Sequence, residues 1–456
     1  MLIRLDKNHP TPLYQQIINQ IEQAIVDGQL LPGEKLPSER NMGELFGVNR
    51  STIVRAMDEL HDRNIVIRKV GSGTYVNSQK WGLFSEQRVR WNKLSIETSF
   101  QKTSQYNLMN GDLPIELYPK LQLPAIDWQV LLDAEQEHKV MKIGLLGLRQ
   151  SIQKHLLKSY DWQVDLDEIL ITSGTQQAIS LITVGLLKSG DSIAIENPSY
   201  FYSLSIFQAH GIRIYGIPMD RDGIMIDKLD ELVRKQSIKM VFINPIFHNP
   251  TGNVMSELRK KALLTYCEKK NIFIIEDDAY SRLPFHAHID NTPLKKLDHK
   301  DNSIYLGSLS KYLGRSVRIG WMIAPKAMIE HIASIRQQVD SGLSSLPQFM
   351  AEVYFNDYAD KHEKFLQESL KARCENLQHW LTTHFSDLLQ FEKPLGGFHL
   401  YATKNSAQIS HKSIEDRFDQ YSMSITPSSY FGSDQNAYRL CFAHFSIPKD
   451  KENKEA

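Results

Sequence analysis

The segment SIYLGSLSK, residues 303–311, is a short apolar run that ends in two serines and a lysine. An apolar run of this length, bounded by turn-forming residues, predicts a buried strand at 303–307. The segment SLSK at 308–311, polar except for Leu309, follows at its carboxyl end, and Arg318 lies seven residues beyond the lysine. Open α/β sheets bind ligands at the carboxyl ends of their strands, so residues 308–311 form a candidate ligand site if this strand belongs to such a sheet.

Four segments earlier in the chain show the same order of an apolar strand and a polar loop. Strand 169–172 leads through Ser173-Gly174-Thr175 into a predicted helix at 176–187, so backbone amides converge there and an anion can bind. The other predicted strands are 192–196, 240–243 and 272–276, followed by NPSY at 197–200, HNPTG at 248–252 and DDAY at 277–280. Strands that alternate with helices predict a three-layer α/β domain with a mostly parallel sheet. Taken singly, each polar segment also has a purely structural explanation, as a turn, a helix cap or a surface charge.

The composition is that of a soluble, folded protein with more than one domain. At 456 residues the chain is too long for one ordinary domain, and its 41% hydrophobic and 23% charged residues are close to the averages of globular proteins. No apolar run approaches the roughly 18–20 residues that a membrane-spanning helix needs. The amino terminus lacks the apolar core of a secretory signal, which predicts a cytoplasmic location.

The cysteines and the charge narrow the classes of function further. Cys267, Cys374 and Cys441 are far apart, odd in number and without the spacing of a zinc site, so we expect reduced thiols and no metal. Lysine plus arginine equals aspartate plus glutamate, 53 against 53, and the total charge therefore gives no sign of nucleic acid. Residues 47–77, however, carry five basic and three acidic side chains. Positive charge is concentrated in that short segment.

The same part of the chain has the pattern of three helices. Apolar residues recur at helical spacing from residue 12 to 27. Ser38 is placed to cap a second helix that ends at Phe46, and Asn49 is placed to cap a third. In a helix-turn-helix, the second helix of the pair enters the major groove of DNA with its first residues on base edges, which requires side-chain donors there. The first residues of the third helix are Arg50, Ser51 and Thr52.

A hairpin is predicted after the third helix. Strands at 65–70 and 74–76 are joined by Gly71-Ser72-Gly73, and such a hairpin would form a wing that lies along DNA phosphates. The alternative is a small helical domain whose arginines merely face solvent, which amphipathic helices alone do not exclude. The order of helix, helix, helix and wing favours DNA binding.

The string LLPGEKLPSERNMGELFGVNRSTIVRAMDELHDRNIVIRKVGSGTYV, residues 30–76, resembles the winged helix-turn-helix of the GntR family of bacterial repressors over its whole length. The resemblance implies an α/β DNA-binding domain at residues 1–77. It also implies that a set of polar and glycine residues contacts DNA, namely Arg40, Arg50, Ser51, Thr52, Gly71 and Gly73. Arg55 lies on the same helix, and we expect it to reach a phosphate.

A linker is predicted at residues 78–105. This stretch sustains no hydrophobic period, as is typical of a connection between domains. Trp81, Phe84 and Trp91 are costly to leave in water, so we expect part of the linker to pack on a neighbouring domain.

The ordered combination of the five strand-and-loop segments resembles the fold-type I aminotransferases, enzymes of pyridoxal 5′-phosphate, across residues 106–446. The resemblance implies a large aminotransferase class I/II-like domain with a smaller carboxyl-terminal α/β subdomain, followed by a tail at 447–456. It further implies that the amine of Lys311 forms a Schiff base with the cofactor.

The same resemblance assigns roles to the other polar residues. Asp277, three residues before Tyr280, would keep the pyridine nitrogen protonated. Tyr280 and Asn249 would hydrogen-bond the phenolic oxygen of the ring, and Tyr200 would stack on the ring face. Arg439 matches the arginine that binds the α-carboxylate of aminotransferase substrates, which implies an amino compound as ligand. The residues implied to bind the phosphate group are Gly174, Thr175, Gln176, Ser308, Ser310 and Arg318.

One position departs from the family pattern. Lys139 stands where aminotransferases commonly have a tyrosine that contacts the phosphate in the partner subunit. A lysine at this position can also bind a phosphate. Because the sites of this family are built from both chains of a dimer, the resemblance implies a head-to-tail homodimer.

A GntR-type domain followed by an aminotransferase-like domain is the arrangement of the MocR subfamily of bacterial transcription regulators. The resemblance implies a regulator that carries pyridoxal phosphate on Lys311 and senses an amino compound or the cofactor itself. Its two DNA-binding domains would bind two operator half-sites separated by whole helical turns. Two alternatives stay open: an active aminotransferase that also binds DNA, since the residues for the chemistry are retained, and a sensor of vitamin B6 that needs no amine.

Overall fold

The structure is a computed structural model. It describes residues 5–6, 11–26, 30, 33–63, 65–69, 71–77, 104, 106–125, 127, 129, 132–133, 142–204, 206–340, 342–406, 408–433 and 436–447. These residues form two compact units, one largely amino-terminal and one that contains most of the chain. Among them, no helix combines the length and the apolar character needed to cross a bilayer.

The amino-terminal unit contains three helices and a hairpin. Its elements are α1 (Leu13–Val26), α2 (Glu39–Phe46), α3 (Arg50–Asp62), β1 (Val66–Lys69) and β2 (Gly73–Val76). The strands β1 and β2 are antiparallel, with Val66 opposite Val76. Helices and hairpin share one hydrophobic core, in which Ile17, Ile53 and Leu60 are fully buried. The predicted order of helix, helix, helix and wing is confirmed.

Local sequence explains where these helices begin and end. Ser38 caps α2 by accepting a hydrogen bond from the Asn41 N–H, and Gly47 ends α2 in the left-handed conformation at φ 63°. Asn49 precedes α3 in the extended conformation of an N-cap residue, but its side chain makes no capping hydrogen bond. The turn between α2 and α3 therefore depends on Gly47, because a side chain at this φ would be strained.

The rest of the described chain alternates strands and helices. In chain order its elements are β3 (Tyr106–Asn107), α4 (Leu146–Tyr160), β4 (Ile169–Thr172), α5 (Thr175–Leu186), β5 (Ser192–Asn197), α6 (Ile206–Ala209), β6 (Arg213–Asp220), β7 (Gly223–Ile224), α7 (Ile226–Lys235), β8 (Ile238–Ile243), α8 (Glu257–Lys270), β9 (Phe273–Asp278), β10 (Ser303–Ser308), α9 (Ser310–Leu313), β11 (Gly320–Ile323), α10 (Lys326–Val339), α11 (Ser345–Val353), α12 (Ala359–Phe385), β12 (Leu389–Phe391), β13 (His399–Lys404), α13 (His411–Gln420), β14 (Met423–Ser424), β15 (Thr426–Pro427) and β16 (Ala437–Cys441).

An eight-stranded sheet is the centre of the larger domain. Its strand order is β4-β11-β10-β9-β8-β5-β6-β7. The strands β5, β8, β9 and β10 pair in parallel, whereas β11 is antiparallel to both β10 and β4. Every residue of β4 and of β10 is buried, as expected for strands covered on both faces. The predicted α/β fold with a mostly parallel sheet is confirmed.

A second, antiparallel sheet forms the core of the carboxyl-terminal part. Its order is β12-β13-β16-β15. In the register of β13 and β16, Tyr401 lies opposite Arg439 and His399 lies opposite Cys441. One hydrophobic cluster contains buried residues of both sheets, such as Ile171 of β4. The two sheets therefore belong to one packed domain.

Several sequence predictions fall on residues outside the described ranges. They concern the packing of Trp81, Phe84 and Trp91 in the linker, and the phosphate contact of Lys139. These stay predictions, as do the domain boundaries at 77, 105 and 446.

Candidate functional site

Lys311 lies at the carboxyl edge of the large sheet, in the short helix α9 that follows β10. Its side chain is 18% exposed. The ammonium donates hydrogen bonds to the Gly111 carbonyl at 2.7 Å and to an Asp112 carboxylate oxygen at 3.1 Å. Burial lowers the pKa of Lys311, and the charge of Asp112 opposes this shift. A largely buried amine with a lowered pKa is suited to act as a nucleophile toward a carbonyl group.

Asp277 lies on β9, opposite Leu306 of β10 in the parallel register. The Tyr200 hydroxyl donates a hydrogen bond to Oδ2 of this carboxylate. The other oxygen, Oδ1, is buried and has no hydrogen-bond partner among the described residues. Burial raises the pKa of Asp277 to about 7, although the hydrogen bond from Tyr200 acts in the other direction. The site thus contains a buried carboxylate with one oxygen available to a cationic N–H donor.

The carboxylate of the next residue, Asp278, has hydrogen-bond partners within the protein on both of its oxygens. Its Oδ2 accepts hydrogen bonds from the Tyr305 hydroxyl at 2.8 Å and from the Ser281 hydroxyl at 2.5 Å, and its Oδ1 accepts the Ser281 N–H at 2.9 Å. Successive side chains of a strand point to opposite faces, so the two carboxylates have different surroundings. This difference supports Asp277, rather than Asp278, in the role that the family resemblance implies.

A cradle for an anion lies at the start of α5. Gly174 precedes the helix at φ 82°, and no side chain caps this end. The Arg318 guanidinium donates a hydrogen bond to the Ser173 carbonyl at 2.7 Å. A Cβ on Gly174 would lie 3.5 Å from the same guanidinium. The hydroxyls of Ser308 and Ser310 lie 2.9 Å apart at the end of β10. Helix amides, a guanidinium and two hydroxyls are together suited to bind a phosphate.

Gly320 on β11 brings the two halves of this cradle together, although no pattern in the sequence singled it out. A Cβ at Gly320 would lie 2.8 Å from the Gly307 carbonyl oxygen and 2.9 Å from the Gly174 Cα. Both atoms are backbone, so neither can move aside cheaply. A glycine here lets the turn before Thr175 and Gln176, the first residues of α5, approach the end of β10.

Arg439 reaches the site from β16. It is 6% exposed, and it donates hydrogen bonds to the Asn249 amide oxygen at 3.1 Å and to the Met109 carbonyl at 2.7 Å. Its Nε is buried without a hydrogen-bond partner among the described residues. Since Asn249 accepts with its oxygen, its amide nitrogen is left to donate to a ligand. A buried guanidinium with an unused N–H is suited to bind a carboxylate.

The two tyrosines that were predicted to contact the cofactor ring are both hydrogen-bond donors. Burial raises the pKa of Tyr280 and of Tyr200, so both hydroxyls keep their protons at neutral pH. The Tyr280 ring contacts the rings of Phe398 and His399. The hydroxyl of Tyr200 donates a hydrogen bond to Asp277. The stacking of the Tyr200 ring on a ligand ring stays a prediction.

Three further residues of the site were not identified from the sequence: Gly111, Asp112 and His399. Asp112 pairs with Lys311, which is 199 residues away along the chain, and also with Arg315. No strand pattern leads into Gly111 and Asp112, and His399 is a single histidine in an apolar strand. Nothing local in the sequence marked them.

The residues predicted to contact DNA lie on the surface of the amino-terminal unit. The side chains of Arg40 and Arg50 are 81% and 74% exposed. Ser51 is exposed and Thr52 is half-buried at the start of α3. The start of α3 therefore presents donors that can reach base edges.

Arg55 and the wing complete this surface. The Arg55 guanidinium lies 3.9 Å from the centre of the Tyr14 ring of α1, and the residue remains exposed, so its contact with a phosphate stays a prediction. Gly71 and Gly73 at the wing tip have φ values of 73° and 118°. Residues that carry a side chain rarely adopt such φ values, which explains the glycines at the tip of the wing.

Two family models match the chain, one for each part. Residues 13–76 match the model described as bacterial regulatory proteins, gntR family, and residues 103–454 match the model described as aminotransferase class I and II.

Relatives and solved structures give the same division. YisV of Bacillus subtilis, named an uncharacterized HTH-type transcriptional regulator, is 31% identical over 96% of this chain and 93% of its own length. The HTH-type transcriptional regulator NorG of Staphylococcus aureus is also 31% identical, over 90% of this chain and 95% of its own. The crystal structure of the multiple substrate aminotransferase from Thermococcus profundus is 26% identical, with a TM-score of 0.66 over 79% of this chain and 90% of that one.

Proposed function

Because the chain belongs to the GntR-type transcription regulators that carry an aminotransferase class I and II domain, the arrangement of the MocR subfamily, we propose that its larger domain binds pyridoxal 5′-phosphate at Lys311. An amino compound binds next to the cofactor, with its carboxylate on Arg439. Occupancy of this site changes how the DNA-binding domains of a homodimer engage their operator.

The buried Asp277 oxygen without a partner carries the proposal. A buried carboxylate oxygen is costly to leave unpaired, and a protonated pyridine nitrogen is a donor of the right charge. When bound, pyridoxal phosphate supplies an aldehyde for the Lys311 amine and a ring that withdraws electrons from the α-carbon of an amino acid. Asp277 would hold the proton on the ring nitrogen, and Tyr200 would fix the carboxylate in place.

The remaining residues fit the other parts of the cofactor and its ligand. Arg318, Ser308 and Ser310, with the free amides at the start of α5, would bind the phosphate. The Tyr280 hydroxyl and the Asn249 amide nitrogen would donate to the phenolic oxygen. The unused Nε of Arg439 would bind the ligand carboxylate.

The ligand regulates DNA binding by population shift. It can move the equilibrium between two arrangements of the dimer only as far as its affinities for the two arrangements differ. A head-to-tail dimer carries two copies of α3, so its operator would contain two half-sites spaced by whole helical turns. Lys139, by the family pattern, would bind the cofactor phosphate of the partner subunit.

The test uses the full chain and a promoter fragment on which its operator has been mapped. Operator affinity and footprint are measured at one salt concentration, first without cofactor, then with pyridoxal phosphate, then with added amino acids. We expect two protected half-sites and a change in affinity or footprint when the site is filled. Protection of one isolated half-site, unaffected by cofactor and by amino acids, would contradict the proposal. A response to pyridoxal phosphate with no further effect of amino acids would identify a sensor of vitamin B6.

Aminotransferase activity is the second candidate function. Asp277 and Arg439 are buried and the side chain of Lys311 is only 18% exposed, and the three residues together offer the chemistry that transamination needs. Steady turnover of an amino donor and a keto acid, abolished by Lys311→Ala, would establish this activity. Cofactor binding without steady turnover would leave regulation as the role of the site.

A further inference from the structure

His399 is a buried histidine whose ring has no hydrogen bond in the described part of the chain. It begins β13 and is 1% exposed, and neither Nδ1 nor Nε2 has a hydrogen-bond partner among the described residues. An imidazole needs partners for one donor and one acceptor when it is buried. Two buried nitrogens without hydrogen bonds on one side chain therefore indicate a ligand that supplies the missing partners.

The ring faces the same space as the amine of Lys311. A methyl group placed on Gly111 would lie 3.7 Å from His399 Nε2 and 3.8 Å from Lys311 Nζ. Gly111 thus forms one wall of a gap that both nitrogens line. The Tyr280 ring meets the imidazole at 5.4 Å in an edge-to-face contact, which fixes the orientation of His399 in this gap.

The imidazole is neutral. Burial lowers the pKa of His399 well below its ordinary value, and the positive charges of Arg439 and Lys311 lower it further. A neutral ring offers one N–H donor and one acceptor nitrogen, which suits a hydroxyl or an amide better than a charged group.

His399 also shares a sheet face with Arg439. Residues directly opposite each other in an antiparallel pair point to the same face, and Arg439 lies opposite Tyr401, two positions from His399 on β13. Two positions along a strand span roughly 6–7 Å. A small amino acid held by its carboxylate on Arg439 can therefore place its side chain near His399.

We propose that His399 recognises the side chain of the amino acid bound at Arg439, and that it selects a ligand with a neutral hydroxyl or carboxamide group. The inference rests on the proposed function and narrows its ligand class. His399 binds the ligand and is distinct from the residues that hold the cofactor.

The test compares L-serine with L-alanine, which differ by one hydroxyl. Their binding to the full chain loaded with pyridoxal phosphate is measured by calorimetry and by the change in the visible absorption of the cofactor. We expect the wild-type protein to bind serine roughly tenfold more tightly than alanine, as one good hydrogen bond allows. In His399→Phe the affinity for serine should fall to that for alanine, whereas alanine should bind as before.

Two variants and one control separate recognition from folding. His399→Gln keeps a donor and an acceptor and should retain part of the serine preference. Gly111→Ala adds a methyl group at van der Waals distance from His399 Nε2 and Lys311 Nζ. It should weaken the binding of serine more than that of alanine, without disturbing the fold. His379→Phe makes the same substitution as the main variant at an exposed position of α12 and should change neither affinity.

The outcomes distinguish this inference from the proposed function. Equal binding of serine and alanine to a wild-type protein that shows the cofactor absorption would overturn the role of His399 and leave the cofactor site intact. A serine preference that survives His399→Phe would overturn it equally. A wild-type protein with neither cofactor absorption nor amino acid binding would contradict both.

Discussion

The Tyr200 hydroxyl donates a hydrogen bond to one oxygen of Asp277, while the other oxygen of the same carboxylate has no hydrogen-bond partner in the described part of the chain. One oxygen of the carboxylate is therefore hydrogen-bonded, and the other is left available to a donor. Because Asp277 is buried, its charge is unfavourable until a cation binds on the open side.

This arrangement predicts how the stability of the cofactor-free protein depends on pH. An unfolded aspartate loses its proton near pH 3.8, whereas the folded protein keeps the proton on Asp277 up to about pH 7. Between these values the folded state binds more protons, so the free energy of unfolding falls as the pH rises and levels off above pH 7. Asp277→Asn removes this loss of stability. Between pH 5 and pH 8 the free energy of unfolding of the variant should therefore rise by about 3 kcal/mol relative to that of the wild type.

Denaturant unfolding of both proteins without cofactor, at pH 5 and pH 8, measures this difference. Asp416→Asn, at an exposed position of α13, is the control and should follow the wild type at both pH values. A wild-type protein and an Asp277→Asn variant with parallel pH profiles would show that Asp277 is not held in its protonated form. Asp277→Asn should also bind pyridoxal phosphate more weakly at pH 8.

Lys311→Ala tests the covalent anchor. The variant should lose the visible absorption of the lysine-bound cofactor and the label that borohydride reduction leaves on the protein, because the substitution removes the amine that forms the imine. Operator binding in the absence of cofactor should stay within about twofold of the wild type. Lys326→Ala, at a side chain 62% exposed on α10, should keep the absorption. Persistence of the band in Lys311→Ala would mean that the cofactor is held elsewhere.

Arg50→Ala tests the DNA-binding surface. Its side chain is 74% exposed at the first position of α3, so its removal should cost about 1–3 kcal/mol of operator affinity without disturbing the core. Fluorescence anisotropy at fixed salt measures the loss. The matched control is Arg221→Ala, at a side chain 87% exposed in the larger domain, which should bind as the wild type does. The cofactor absorption should be unchanged in both variants, and its loss in Arg50→Ala would indicate misfolding.

Gly320→Ala tests how the anion cradle at the start of α5 is built. The new methyl would lie 2.8 Å and 2.9 Å from backbone atoms of Gly307 and Gly174, so we expect a loss of about 1–3 kcal/mol in stability and a larger loss of cofactor affinity. Thermal unfolding and cofactor titration measure the two effects. In Gly185→Ala the methyl meets the end of the Ile335 side chain, which can move, so the cofactor affinity should be kept. Unchanged cofactor binding in Gly320→Ala would show that the close approach is not needed.

Much of the fold follows from local patterns. The strand at 303–307 and the loop with Lys311 were predicted from an apolar run and the polar residues after it, and β10 ends one residue later, at Ser308. The cap at Ser38 was predicted from its residue type, and its hydrogen bond to Asn41 is present. Asn49 has the backbone of a cap without the side-chain bond, since residue type alone does not determine a side-chain rotamer.

Other features of the site depend on contacts between distant parts of the chain. Asp112 meets Lys311 across 199 residues of sequence, and Arg55 lies on Tyr14 of another helix. The sequence placed Tyr200 near a ligand ring but did not show that its hydroxyl would bind Asp277. Such contacts depend on how helices, strands and loops pack together in three dimensions, which no single segment encodes.

The amino-acid sequence by itself determined the two domains, the lysine at the edge of the sheet and the glycines of the wing and of the turn before α5. Short-range periodicity, capping and backbone conformation act within a few residues, so they can be recognised along the chain. The tertiary structure alone decided that Asp277 keeps an open oxygen, that Gly320 lets two turns meet, and that His399 faces the amine of Lys311. Burial and partner choice at these positions arise when β9, β10, β11 and β13 pack together, and packing is a property of the whole fold.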